Sequence, residues 1–86
     1  MAHITTPRFW AACEKLPARI RKLADRRYQL LKSNPEHHIL HFKRVTDQLW
    51  SVRVGEGYRA LGVEFSEGIA WFWIRAHDEY ERLIGL

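Results

Sequence analysis

The chain has 86 residues, 47% of them hydrophobic and 13% aromatic, which is enough for one modest core and too little for two domains. Its 14 Lys and Arg against 10 Asp and Glu give a net charge of +4 and a pI near 9.6, a balance that favours acidic or polyanionic partners. No apolar run approaches the ~18 residues of a membrane span, MAHITTPRFW has no signal-peptide pattern, and the single cysteine, Cys13, excludes an internal disulfide; a single cytoplasmic domain with a buried structural thiol is expected.

Ala2–Thr5 is short and suits an edge strand. Thr6-Pro7 reads as a helix start, with Thr6 as N-cap and Pro7 at the first helical position. Phe9, Ala12, Cys13 and Leu16 then share one helical face, and Pro17 separates this helix from the next. In the second helix Ile20, Leu23, Ala24, Tyr28 and Leu31 form the apolar stripe, and Ser33-Asn34-Pro35 ends it. Arg19, Arg21, Lys22, Arg26, Arg27 and Lys32 form a basic outer face. Such a face either meets RNA or an acidic partner or is a solvated helix surface.

His37, His38 and His41 fall within five residues, but the remaining histidines, His3 and His77, are isolated. Without a second ligand cluster no metal site is expected. Ile39–Val45 reads as a loop running into a strand, where Lys43 and Arg44 would add a positive rim.

Three antiparallel strands follow at Leu49–Val54, Tyr58–Phe65 and Ile69–Ala76, joined by Gly55-Glu56-Gly57 and Ser66-Glu67-Gly68. If both turns are three residues long, Arg53 faces Arg59, Val54 faces Tyr58, Phe65 faces Ile69 and Arg59 faces Arg75. Residues directly opposite share a face, so Arg53, Arg59 and Arg75 form a row of like charges. Such a row either holds an anion or splays into solvent. The opposite face, with Val52, Val54, Ala60, Gly62, Ala70, Phe72 and Ile74, is apolar and suits packed helices. The arginine face continues as Leu49, Leu61, Val63, Phe65, Trp71 and Trp73. This apolar area needs a cover, either the C-terminal segment or a partner chain. Leu61, Val63, Trp71 and Trp73 are the expected anchors for a partner protein.

His77 and Tyr80 come at the end of the last strand. Cations, an imidazole and a phenol fit RNA cleavage without a metal or other cofactor. A base takes the 2′-OH proton, the oxygen attacks the adjacent phosphate, arginines stabilise the dianionic transition state, and an acid protonates the leaving 5′-oxygen. The fold class expected is α+β: two N-terminal helices on a small antiparallel β-sheet, with a short C-terminal helix or tail.

The element order, with WSVRVGEGYRALGV followed by IAWFWIRAHDEY, resembles the RelE/ParE toxin superfamily of bacterial toxin–antitoxin pairs over residues 6–84. The resemblance implies a metal-free mRNA endonuclease acting in the ribosomal A site, with a cognate antitoxin as partner. By position, Arg53 and Arg59 match the strand residues that bind the scissile phosphate, and His77 matches the acid/base position. Tyr80 is the stacking or proton-transfer tyrosine, and Lys43, Arg44 and Arg75 are further RNA contacts. The type member of the RelE branch carries a lysine where this chain has Ser51, and its late basic residue falls near Glu79, with Arg75 two residues after the last Trp here. The ParE branch shares the fold, lacks the nuclease residues and poisons DNA gyrase; it is the alternative, with a non-catalytic binding module as the third reading.

Overall fold

The Thr6 hydroxyl ties the first helix to the sheet. It accepts from the Phe9 amide at 3.2 Å, capping the helix that Pro7 begins, and donates to the Trp71 carbonyl at 3.0 Å. The computed structural model describes residues 2–85. Their order is β1 (Ala2–Thr5), α1 (Pro7–Glu14), α2 (Ala18–Ser33), a 3₁₀ turn (His38–Leu40), β2 (Lys43–Arg44), β3 (Leu49–Val54), β4 (Tyr58–Phe65), β5 (Gly68–Ala76) and α3 (His77–Ile84). The sheet order is β1-β5-β4-β3-β2. The antiparallel meander β3-β4-β5 is its centre, and β1 joins the outer edge of β5 in parallel, making the sheet mixed. Gly68 allows that approach, since a side chain there would run into the backbone of Ala2.

Helices α1 and α2 cover one face. Phe9, Ala12 and Cys13 of α1 and Ala24 and Leu31 of α2 pack with Val52, Val54, Ala60, Ile69, Trp71 and Ile74. Burial pushes the Cys13 thiol above its ordinary range, as an inert structural cysteine requires. The Tyr28 hydroxyl donates to the His3 carbonyl at 2.9 Å and fastens α2 to β1. No described helix is long and apolar enough to cross a membrane.

The first hairpin has the expected register, Val54 opposite Tyr58 and Arg53 opposite Arg59. The second differs. Phe65 pairs with Gly68, not Ile69, so the turn is the two residues Ser66-Glu67. Arg59 still faces Arg75 and Leu61 still faces Trp73, because an irregularity at Leu61/Gly62 pairs Gly62 with Trp71 and leaves Phe72 as an extra residue. One extra residue swaps the faces beyond it. Trp71 therefore belongs to the helix-side core, 2% exposed, and not to the arginine face. This corrects its expected role as a partner anchor.

The reason is spatial. The indole lies where a side chain on residue 62 would be: a Cβ there would come within 2.8 Å of Trp71 Cε3. Burying an indole of ~150–250 Å² stabilises by about 4–6 kcal/mol, an upper figure for a compact unfolded state. The indole N–H donates to His3 Nδ1 at 3.3 Å, and burial lowers the pKa of His3, consistent with a neutral acceptor ring. Gly62→Ala forces a methyl against Trp71 and Ile69 and should cost about 1–3 kcal/mol in urea unfolding, the range for overpacking. An unchanged midpoint would contradict this packing.

Candidate active site

Strand pairing brings Arg53, Arg59 and Arg75 side by side, as the hairpin spacing predicts. Their guanidinium groups nevertheless diverge, which relieves the like-charge repulsion of the row. β2 pairs with β3 only at Trp50 and Ser51, so Arg53 lies on an open stretch of strand edge. There its Nε donates to the Gly55 carbonyl at 3.2 Å, and its Nη1 is 3.5 Å from His41 Nε2. Arg75 turns the other way. Its Nη1 donates to the Ile74 carbonyl at 2.9 Å, and its Nε lies 3.7 Å from Glu79 Oε2. Arg59 stays between them. Its guanidinium carbon is 5.5 Å from the centroid of the Tyr80 ring, and its buried Nη1 has no hydrogen-bond partner among the described residues. Neither Arg53 nor Arg59 forms an ion pair among the described residues.

The C-terminal helix builds the rest. β5 runs directly into α3, and the His77 amide donates to the Gly57 carbonyl at 2.8 Å, anchoring the helix to the β3–β4 turn. Asp78 and Glu79 in the first turn complement the helix dipole, and Gly85 ends the helix in the left-handed region at φ 83°. Tyr80, only 3% exposed, faces the sheet and lies 6.4 Å, ring to ring, from Trp73. The His77 ring stacks on Tyr80 at 5.9 Å, and its Nε2 is 2.7 Å from Glu81 Oε1. A carboxylate only accepts, so Nε2 carries the proton and Nδ1 is left for exchange. Glu81 is thus a positioning group that the sequence reading missed; its i,i+4 spacing from His77 was the available signal.

The structure brings Arg59, His77 and Tyr80 together and separates the other candidates. Lys43 is exposed on β2 opposite Ser51. Arg44 is held away, 3.5 Å from Glu64 Oε1 and over the Trp50 ring at 5.1 Å. Ser51 is fully buried and its hydroxyl has no partner among the described residues. Among the expected partner anchors, Leu61 is 1% exposed and does not offer a surface in the free chain, because α3 packs across β4 and β5. Trp73 is half-buried, while Val63 and neighbouring Phe65 are exposed. The histidine run forms no metal cluster among the described residues; His37 caps the 3₁₀ turn by accepting from the Ile39 amide and stacks on His38.

A five-stranded sheet with two helices on one face and a short C-terminal helix across a cationic strip on the other defines a small α+β domain. The chain belongs to the family of ParE-like toxin domains, whose model matches residues 18–82, well over half its length. Among solved structures it is similar to a chain of the RelB–RelE antitoxin–toxin complex from Methanococcus jannaschii. The TM-score is 0.69 at 17% identity, over 93% of this chain and 96% of that one, a likeness of fold. No curated protein matches.

The Tyr80 hydroxyl makes no hydrogen bond among the described residues, so Tyr80→Phe should leave stability within about 0.5 kcal/mol of the native chain. Tyr80→Ala removes the ring that fixes α3 and should cost about 3–5 kcal/mol. Urea unfolding of both variants checks this, and equal midpoints would contradict the packing of α3.

Proposed function

We propose that this chain is the toxin of a toxin–antitoxin pair and cleaves mRNA on the ribosome, using its own side chains for acid–base and charge-stabilising work. One observation carries the reading. Arg59, which has a buried N–H without a partner among the described residues, packs on Tyr80, and Tyr80 stacks on the carboxylate-held imidazole of His77. A buried donor without a partner costs about 1–3 kcal/mol. Its retention beside an imidazole and a phenol fits a group kept for an incoming anion.

In this reading Arg59 binds the scissile phosphate and stabilises the charge of the transition state, with Arg53 contributing from the strand edge. His77, oriented by Glu81, exchanges protons through Nδ1. Tyr80 stacks on a base or transfers a proton once the α3 contact opens. Lys43, Arg44 and Arg75 contact the RNA backbone, Arg75 after release from Glu79.

The similarity to a toxin solved with its antitoxin supports a cognate antitoxin as partner. Its apolar segment would lie on Val63, Phe65 and Trp73 and gain Leu61 if α3 is displaced, while its acidic residues would meet Arg53 or the basic face of α2. The family match favours a second reading, poisoning of DNA gyrase.

A translating extract separates the two. Primer extension on the message should show breaks within codons that depend on added protein, and His77→Gln should abolish the breaks while ribosome binding persists. Intact message with cleaved DNA would replace the nuclease by the gyrase poison. If neither nucleic acid is cut, a non-catalytic binding module is left.

A further inference from the structure

Beside the proposed site a cleft brings Arg53 together with Arg27, His38 and His41, which the cleavage chemistry does not use. It lies between α2, the 3₁₀ turn and the β3–β4 turn, has a volume of about 300 Å³, and is lined by Arg27, His38, His41, Arg53 and Glu56. One water needs only about 10–15 Å³ of such space, so a phosphate group fits.

We infer that this cleft binds a phosphate group, with Arg53 and His41 as its inner donors and Arg27 as its outer cation. The orientation of Arg53 is the first support. Its Nε is fixed by the Gly55 carbonyl, which turns the planar fork to the edge and leaves donors on Nη1 and Nη2 for the cleft. Guanidinium forks match phosphate oxygens in pairs.

The second support is His41. At φ 44° it is the single non-glycine residue with positive φ among the described residues, the left-handed C-cap of the 3₁₀ turn, a conformation uncommon outside glycine. Leu40 before it is fully buried and Phe42 after it packs on the core, so the backbone is held on both sides while the exposed imidazole turns to Arg53. Strain of this kind collects at functional sites. The contact is also chemically incomplete. A guanidinium only donates, so Nε2 must accept at 3.5 Å, the outer limit of a hydrogen bond. A phosphate oxygen between the two groups accepts from the fork and from an imidazole N–H, satisfying both.

Charge is the third support. Arg27 and Arg53 form no ion pair among the described residues, and Glu56, the carboxylate on the lining, is exposed and pairs with neither. The inference rests on the nuclease reading only for the source of the phosphate, a backbone group of the same RNA strand that reaches Arg59.

The test needs no cleavage. The full chain, labelled with ¹⁵N, is titrated with inorganic phosphate and with a non-cleavable 2′-O-methyl oligoribonucleotide. Amides of His41, Gly55 and Glu56 should shift with both. Affinity for the oligonucleotide should fall about tenfold in His41→Asn, which tolerates the left-handed backbone, and in Arg27→Gln, the loss of one charge-assisted hydrogen bond each. Arg82→Gln, on the far side of α3, should bind normally. Shifts with phosphate alone would keep the site and make its ligand a free anion. Shifts near Arg59 and Tyr80 with none at His41, Gly55 and Glu56, or native affinity in both cleft variants, would overturn the site even if the message is still cut. Binding in the cleft by a chain that cuts no message would leave the site standing and remove the nuclease reading.

Discussion

Trp71 lies over Gly62 because β5 carries one more residue than β4 between two of their pairings, and the two faces of the sheet take their character from that irregularity. Beyond it Trp71 and Ile69 enter the helix-side core, and Ala70, opposite Val63, takes the place on the arginine side that the indole would have filled. The one buried indole of the strand thus anchors the packing of α1 and α2. The same residue fixes the N-terminal junction, since its carbonyl accepts from both the amide and the hydroxyl of Thr6. An extra residue that reverses a strand's faces is a common means of re-aiming side chains beside a site.

With the indole removed, the arginine side is shallow enough for one short helix to cover. Tyr80 supplies most of that cover, over Arg59 and beside Trp73, while Leu61 is buried below. Eight residues of α3 held by one buried ring and one amide bond to Gly57 make a cover of low local stability compared with the β4–β5 ladder. That contrast suits the proposed function, in which the central cation is shielded in the free chain and reached by a strand of RNA. The splayed arginines fit the same logic: Arg53 at an open edge, Arg75 paired with Glu79, and Arg59 beneath Tyr80, with no ion pair for Arg53 or Arg59 among the described residues.

Much of this was legible in the residues. The Thr6-Pro7 cap, the apolar stripes of both helices, the first hairpin and the register of the three arginines follow from local chemistry and period. The second turn misled because Ser66-Glu67-Gly68 reads equally as two or three loop residues, and the bulge that compensates has no local sequence mark beyond Gly62. Side-chain directions were also out of reach. Nothing in the spacing of Arg53 says that it turns to His41, because that contact joins residues 12 apart across a loop with left-handed backbone. Glu81 was within reach, since a helical continuation past His77 places it one turn away.

In the proposed nuclease Arg59 stabilises the transition state of RNA cleavage and does little for the fold. The direct measurement is the single-turnover rate of message cleavage on the ribosome by Arg59→Ala, taken with the ribosome affinity and the urea midpoint of the same protein. A rate lower by about 10²–10³ is expected, the loss of one preorganised donor, with affinity and midpoint close to native. A native rate in this variant, or a rate that falls only in step with stability, would contradict it.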